Sequence, residues 1–154
     1  MLHRQQELGE AIASFLNKQT FSEELRFARV VRITANRESS QKLAGFVGNL
    51  SRQRNLFAAR NGHDHFYNMG IVITESLKQQ GKGKRDGRID VLSALSEEVE
   101  DRILEKDAWR LKTEHFTFLL QQGDPLPTPP FEPSSESSGV FESYIPLTYM
   151  LVGK

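Results

Sequence analysis

The chain has no cysteine among its 154 residues. That excludes a disulfide scaffold, a thiolate metal site and a cysteine nucleophile. It also has no net charge, because 20 basic side chains balance 20 acidic ones. Dedicated nucleic-acid binders draw much of their affinity from an excess of Lys and Arg. Any contact with a polyanion is therefore expected to be local, through one loop or face. No window reaches the roughly 18 apolar residues that a membrane span requires. The opening MLHRQQELGE lacks the apolar stretch of a signal peptide, so an intracellular origin is the expectation. Proline is scarce too: of six in all, five fall within GDPLPTPPFEPSSESSG. That stretch cannot build a packed core and reads as an exposed excursion over 122–139.

What is present is a soluble globular balance, with 38% apolar and 26% charged residues. The length fits one domain over 1–154 with a real core. Helical spacing of Leu8, Ile12, Phe15 and Leu16, with Ala11 between them, predicts an amphipathic helix over 4–18. ELRFARVVRIT has period two, with Leu25, Phe27, Val31 and Ile33 on one face and Arg29 as the exception. KLAGFVGNLSRQ is a weaker strand, since Gly45 and Gly48 dilute it. Asn61-Gly62 marks a possible hairpin turn. HFYNMGIVITES is the best strand: Tyr67, Met69, Ile71 and Ile73 oppose Phe66, Asn68 and Val72.

A second helix is predicted after the segment KQQGKGKRDGR, residues 78–88. Its buried stripe is Ile89, Leu92, Leu95, Val99 and Ile103, with Asp86 or Asp90 as cap and Glu98 paired to Arg102 four residues on. AWRLKTEHFTFLLQQ reads as extended, with Phe116, Phe118 and Leu120 alternating; Trp109 and these aromatics read as core. The closing VFESYIPLTYMLV places Phe141, Ile145, Leu147, Tyr149 and Leu151 on one face. Pro146 there calls for a sheet edge or a bulge. The sum is an α+β fold: a mixed or antiparallel sheet of about four to five strands, with two amphipathic helices on one face.

Chemistry-bearing motifs are few. His63-Asp64-His65 would put two imidazoles on one strand face, but two ligands are too few for a metal. His115 joins them as a candidate for a small ligand- or metal-binding domain. Glu97, Glu98, Glu100 and Asp101 fit a solvated helix face better than an acid–base pair. The basic segment lacks the Gly-x-x-x-x-Gly-Lys-Ser/Thr spacing of a phosphate loop and has no interleaved aromatics. No catalytic residue, cofactor or metal site is assigned, and the chain is not expected to be an enzyme.

LGEAIASFLNKQTFS, RFARVVRI, HFYNMGIVITE, DVLSALSEEVEDRI and GVFESYIPLTYMLV together resemble the tail-terminator and tail-completion proteins of long-tailed bacteriophages. The resemblance rests on an opening helix with a TFS break, a central strand leading through a variable loop into a helix, and a closing strand of the F-x-S/T-x-I-x-L-T-Y kind. It implies a homo-oligomeric ring, often a hexamer, in the neck region of a virion assembled in the host cytoplasm. Its partners would be further copies, the tail tube protein, the head–neck connector and DNA in the lumen, with no membrane. Lys82, Lys84, Arg85 and Arg88 become the candidate contacts with a neighbouring ring or with DNA. Another neck or head-completion ring protein is the nearest alternative.

Overall fold

Twelve residues of one strand run antiparallel to twelve of another at the centre of this computed structural model. The structure describes residues 3–32, 42–50, 65–78, 81–105, 108–121 and 139–153, without the side chains of Arg32, His65 and Lys82. The expected hairpin around Asn61-Gly62, His63, Ile33 and residues 122–138 of the Pro/Ser stretch lie outside them. The elements are α1 (Arg4–Asn17), β1 (Phe27–Arg32), β2 (Ala44–Asn49), β3 (His65–Ser76), α2 (Lys82–Leu104), β4 (Arg110–Lys112), β5 (Thr117–Leu120) and β6 (Val140–Gly153). They build an α+β fold whose six-stranded mixed sheet forms a half-barrel, ordered β1-β2-β3-β6-β5-β4, with two helices packed against it. The β1–β2 pair is parallel and every other pair antiparallel.

Six strands stand where four to five were expected. The difference lies in AWRLKTEHFTFLLQQ, which folds back on itself as the hairpin β4–β5. Thr113 makes the turn. Its N–H donates to the Phe116 carbonyl at 2.8 Å, and its hydroxyl accepts from the Phe116 N–H at 3.0 Å. A short polar side chain that bonds nearby backbone competes with a continuous strand.

Period two decides which strand residues meet the helices. Met69, Ile71 and Ile73 of β3 stand beside Leu147, Ile145 and Ser143 of β6, all on the buried face. Phe141 and Tyr149 extend that face, and Leu8, Ile12 and Leu16 of α1 and Leu92, Leu95, Val99 and Ile103 of α2 close over it, each helix residue fully buried. Both helices thus cover one face, as their apolar stripes predict. Each such side chain contributes about 2 kcal/mol of burial. No helix among the described residues is long and apolar enough to cross a membrane.

Three local features depart from period and propensity. Val31, expected in the buried phase, is 68% exposed, because the register of β1 against β2 shifts between Arg29 and Arg32. Gly45 sits under the Phe27 ring, where an added Cβ would come within 2.5 Å of Cδ1; the missing side chain lets the aromatic lie flat on the neighbouring strand. At the outer rim of β1, Asn17 acts like a strand: its Oδ1 accepts the Phe27 N–H at 2.8 Å and its Nδ2 donates to the Phe27 carbonyl at 3.0 Å. This occupies part of the outer edge of β1.

Pro146 does not place β6 at the rim of the sheet, nor does the β3–β6 register shift there. Asn68 turns its carbonyl towards Leu50, on the β2 side, at 3.1 Å, and Gly70 two residues on faces the same way. Pro146 opposite Gly70 therefore needs no N–H towards β3. On its other flank β5 pairs only with Tyr149–Gly153, and Gln121 reaches Thr148 at 2.8 Å. Proline falls where the strand is internal to the sheet yet past the end of its second neighbour.

Two measurements follow from this packing. Gly45→Val should lower stability by about 2 kcal/mol, through displacement of the Phe27 ring, in urea unfolding followed by fluorescence. Tyr149 is buried with its hydroxyl donating to the Ala108 carbonyl at 3.2 Å, and burial pushes its phenol above the ordinary value of 10.0. The unfolded chain then loses that proton first. Stability should fall as pH rises above about 10, and Tyr149→Phe should flatten the fall, measured by denaturation midpoints at pH 8 to 11.

Candidate functional site

The basic segment lies between the end of β3 and the body of α2. Leu77 is fully buried and its N–H donates to the Gly139 carbonyl at 2.6 Å, so the chain leaves the sheet from a fixed point. Gly139 has φ of 71° and lies against Lys78, whose Cγ would be 2.8 Å from an added Cβ. Both the backbone angle and the close approach require glycine there.

The expected connecting loop over 78–88 is mostly helix. Helix α2 begins at Lys82, with Gly81 as its cap in extended geometry and no side chain bonding the first turn. Asp86 and Asp90, the expected caps, lie inside the helix instead. Lys82 is its first residue, Lys84 is exposed, and Arg85 is half-buried with its N–H on the Gly81 carbonyl at 2.8 Å.

Arg88 has a different environment from the other three. Its Nε and Nη2 donate to Glu75 Oε2 and Oε1 at 2.7 and 2.6 Å, a two-pronged pair, while Nη1 bonds Glu23. The two carboxylates hold its guanidinium protonation well above the usual range, against the opposing effect of burial. The cluster joins the end of β3, the start of α2 and the approach to β1. Both charges extend apolar patterns by one step: Glu75 follows Tyr67, Met69, Ile71 and Ile73 in phase, and Arg88 precedes Leu92 by one helical turn. A charge in a buried phase at the end of a stripe is the signal that sequence reasoning passed over.

A second polar cluster ties α1 to the β4–β5 turn. Glu7 is buried, with His115 Nδ1 2.8 Å from its Oε1 and the Thr113 hydroxyl 3.4 Å from its Oε2. Arg4 lies 5.8 Å from the Phe116 ring centre on the same side. No group of three or more His, Asp or Glu suited to a metal occurs among the described residues. His63 and the His65 side chain lie outside them.

The acidic run on α2 is also allocated differently from expectation. Glu98 does not pair with Arg102. It accepts the Ser22 N–H at 3.2 Å and the Ser22 hydroxyl, while Arg102 pairs with Glu105 at 3.0 Å. Glu97, Glu100 and Asp101 are exposed, as a solvated face requires. Trp109, read as core, is 39% exposed; its Nε1 donates to the Leu104 carbonyl at 2.7 Å and closes the end of α2.

The described residues therefore define an α+β half-barrel bearing a basic helix start. Comparison with known proteins finds no matching family model, no matching curated protein and no matching solved structure.

Arg88→Ala should cost about 3 kcal/mol, because it leaves the buried Glu75 without its counter-charge. Arg88→Lys should recover only part, since an ammonium cannot span both oxygens. Arg88→Met with Glu75→Gln should destabilise less than Arg88→Ala. Thermal melts of the three variants check the order.

Proposed function

We propose that the chain is a non-enzymatic structural subunit that forms a ring, closes the end of a bacteriophage tail tube and docks it to the head–neck connector. The observation that carries this reading is the pairing of β3 with β6. HFYNMGIVITE and GVFESYIPLTYMLV, two of the segments on which the resemblance rests, lie side by side as the spine of the sheet, from His65 opposite Leu151 to Glu75 opposite Phe141. The opening helix and the helix after the central strand pack on the same face of that spine. Such a two-layer build supports assembly through its remaining surface.

In a closed ring each surface feature repeats once per copy, so a local cluster of charge becomes a circle. Lys82, Lys84 and Arg85 are the residues proposed to meet a neighbouring ring or the DNA passing through the lumen. Arg88 supports them from beneath, through Glu75 and Glu23. Another ring protein of the neck would share this architecture and differ in which partner it binds.

Light scattering coupled to size exclusion, alone and with purified tail tubes, tests the reading. A ring, formed alone or on the tube, is the expected result; a monomer that binds neither tube nor connector overturns it. Lys82→Ala with Lys84→Ala and Arg85→Ala should leave the melting temperature within a few degrees and reduce tail joining at least tenfold in an assembly assay.

A further inference from the structure

We propose that the first turn and a half of α2, Lys82 to Gly87, is a conditional piece of helix that the folded protein opens and closes against a fixed stop at Arg88. The inference concerns the helix alone and does not depend on the ring reading.

The cap and the first-turn composition do not favour this start. The cap is Gly81, which brings no side-chain acceptor, and the first turn has no acidic residue. Lys82, Lys84 and Arg85 put positive charge at the positive end of the helix dipole. Two of the six residues are glycine. An added Cβ at Gly83 or Gly87 meets nothing within 4 Å, and neither has a positive φ, so neither packing nor backbone geometry requires glycine there. Each glycine lowers the helical population about fivefold relative to alanine. Gly83, Lys84, Asp86 and Gly87 are exposed, and only Arg85 among the side chains described is half-buried.

Both ends of the segment are held independently of it. Leu77 is buried and bonded to Gly139 on one side, and Arg88 is bonded to Glu75 and Glu23 on the other. The first fully buried residue of the helix, Leu92, lies beyond the stop. Opening Lys82–Gly87 therefore exposes no core. It converts about 9 Å of helix into a segment that spans up to about 20 Å, within a basic loop running from Lys78 to Gly87. The helix of the structure and the loop expected from composition are then two states of one segment.

Hydrogen exchange read by mass spectrometry on the full chain tests this. Helical N–H groups bond four residues back, so opening Lys82–Gly87 frees the amides of residues 85–91. These should exchange at least tenfold faster than the amides of residues 93–102. Gly83→Ala with Gly87→Ala, which adds helix propensity and meets open space, should slow residues 85–91 by roughly 25-fold while moving 93–102 far less. Equal protection of the two stretches in the wild type overturns the proposal. So does an alanine pair that leaves residues 85–91 unchanged, or one that slows the whole helix equally.

Discussion

The ladder between β3 and β6 is the constraint on which the other contacts depend. Its register, from His65 opposite Leu151 to Ser76 opposite Val140, is continuous over its whole length. A slip of β3 by one residue against β6 would turn Met69, Ile71 and Ile73 away from the helices and bring Asn68 and Thr74 beneath them. Proline is tolerated because the register sets it opposite Gly70, where no bond is exchanged. Asn68 and Thr148, opposite each other on the far face, bond at 2.9 Å and reinforce the same alignment.

Around this spine, charged and polar side chains tie the periphery down. Arg88 links α2 to β3 and to the approach to β1. Ser22 and Glu98 fix that approach to α2 a second time. Glu7 and His115 fix α1 to the β4–β5 turn, and Asn17 joins the end of α1 to β1. Arg88–Glu23, Glu98–Ser22 and His115–Glu7 join elements 65, 76 and 108 residues apart. Hydrogen-bonded charges that are partly buried contribute more than exposed pairs, since water screens them less.

The basic segment gains its meaning from this arrangement. Arg88 belongs to the framework, and the three cations before it ride on a helix start that local chemistry does not favour. The structural role of Arg88 and the contact role proposed for Lys82, Lys84 and Arg85 are therefore separable by mutation. Ring assembly through this segment would act on the part of α2 proposed to open without exposing the core.

The sequence by itself determined the two helices, the central and closing strands and most of the residues that they bury, because periods of 3.6 and 2 are local properties of the chain; Phe15, Tyr67, Ile89 and Leu151, in the same stripes, are only partly buried. Leu8, Ile12 and Leu16, and Leu92, Leu95, Val99 and Ile103, are buried as their spacing dictates. Only the tertiary structure decided what depends on distant partners: the parallel pairing of β1 with β2, the fold-back of β4 on β5, and the choice of Ser22 rather than Arg102 for Glu98. The same holds at the basic segment. Glycine and charge favour a loop there, with Lys82, Lys84, Arg85 and Arg88 as the candidate contacts. Anchoring of Arg88 by Glu75 and Glu23, 13 and 65 residues away, fixes the helix from outside and sets that residue apart from the rest. Local pattern records what a segment favours on its own, and a bond across the fold can outweigh it.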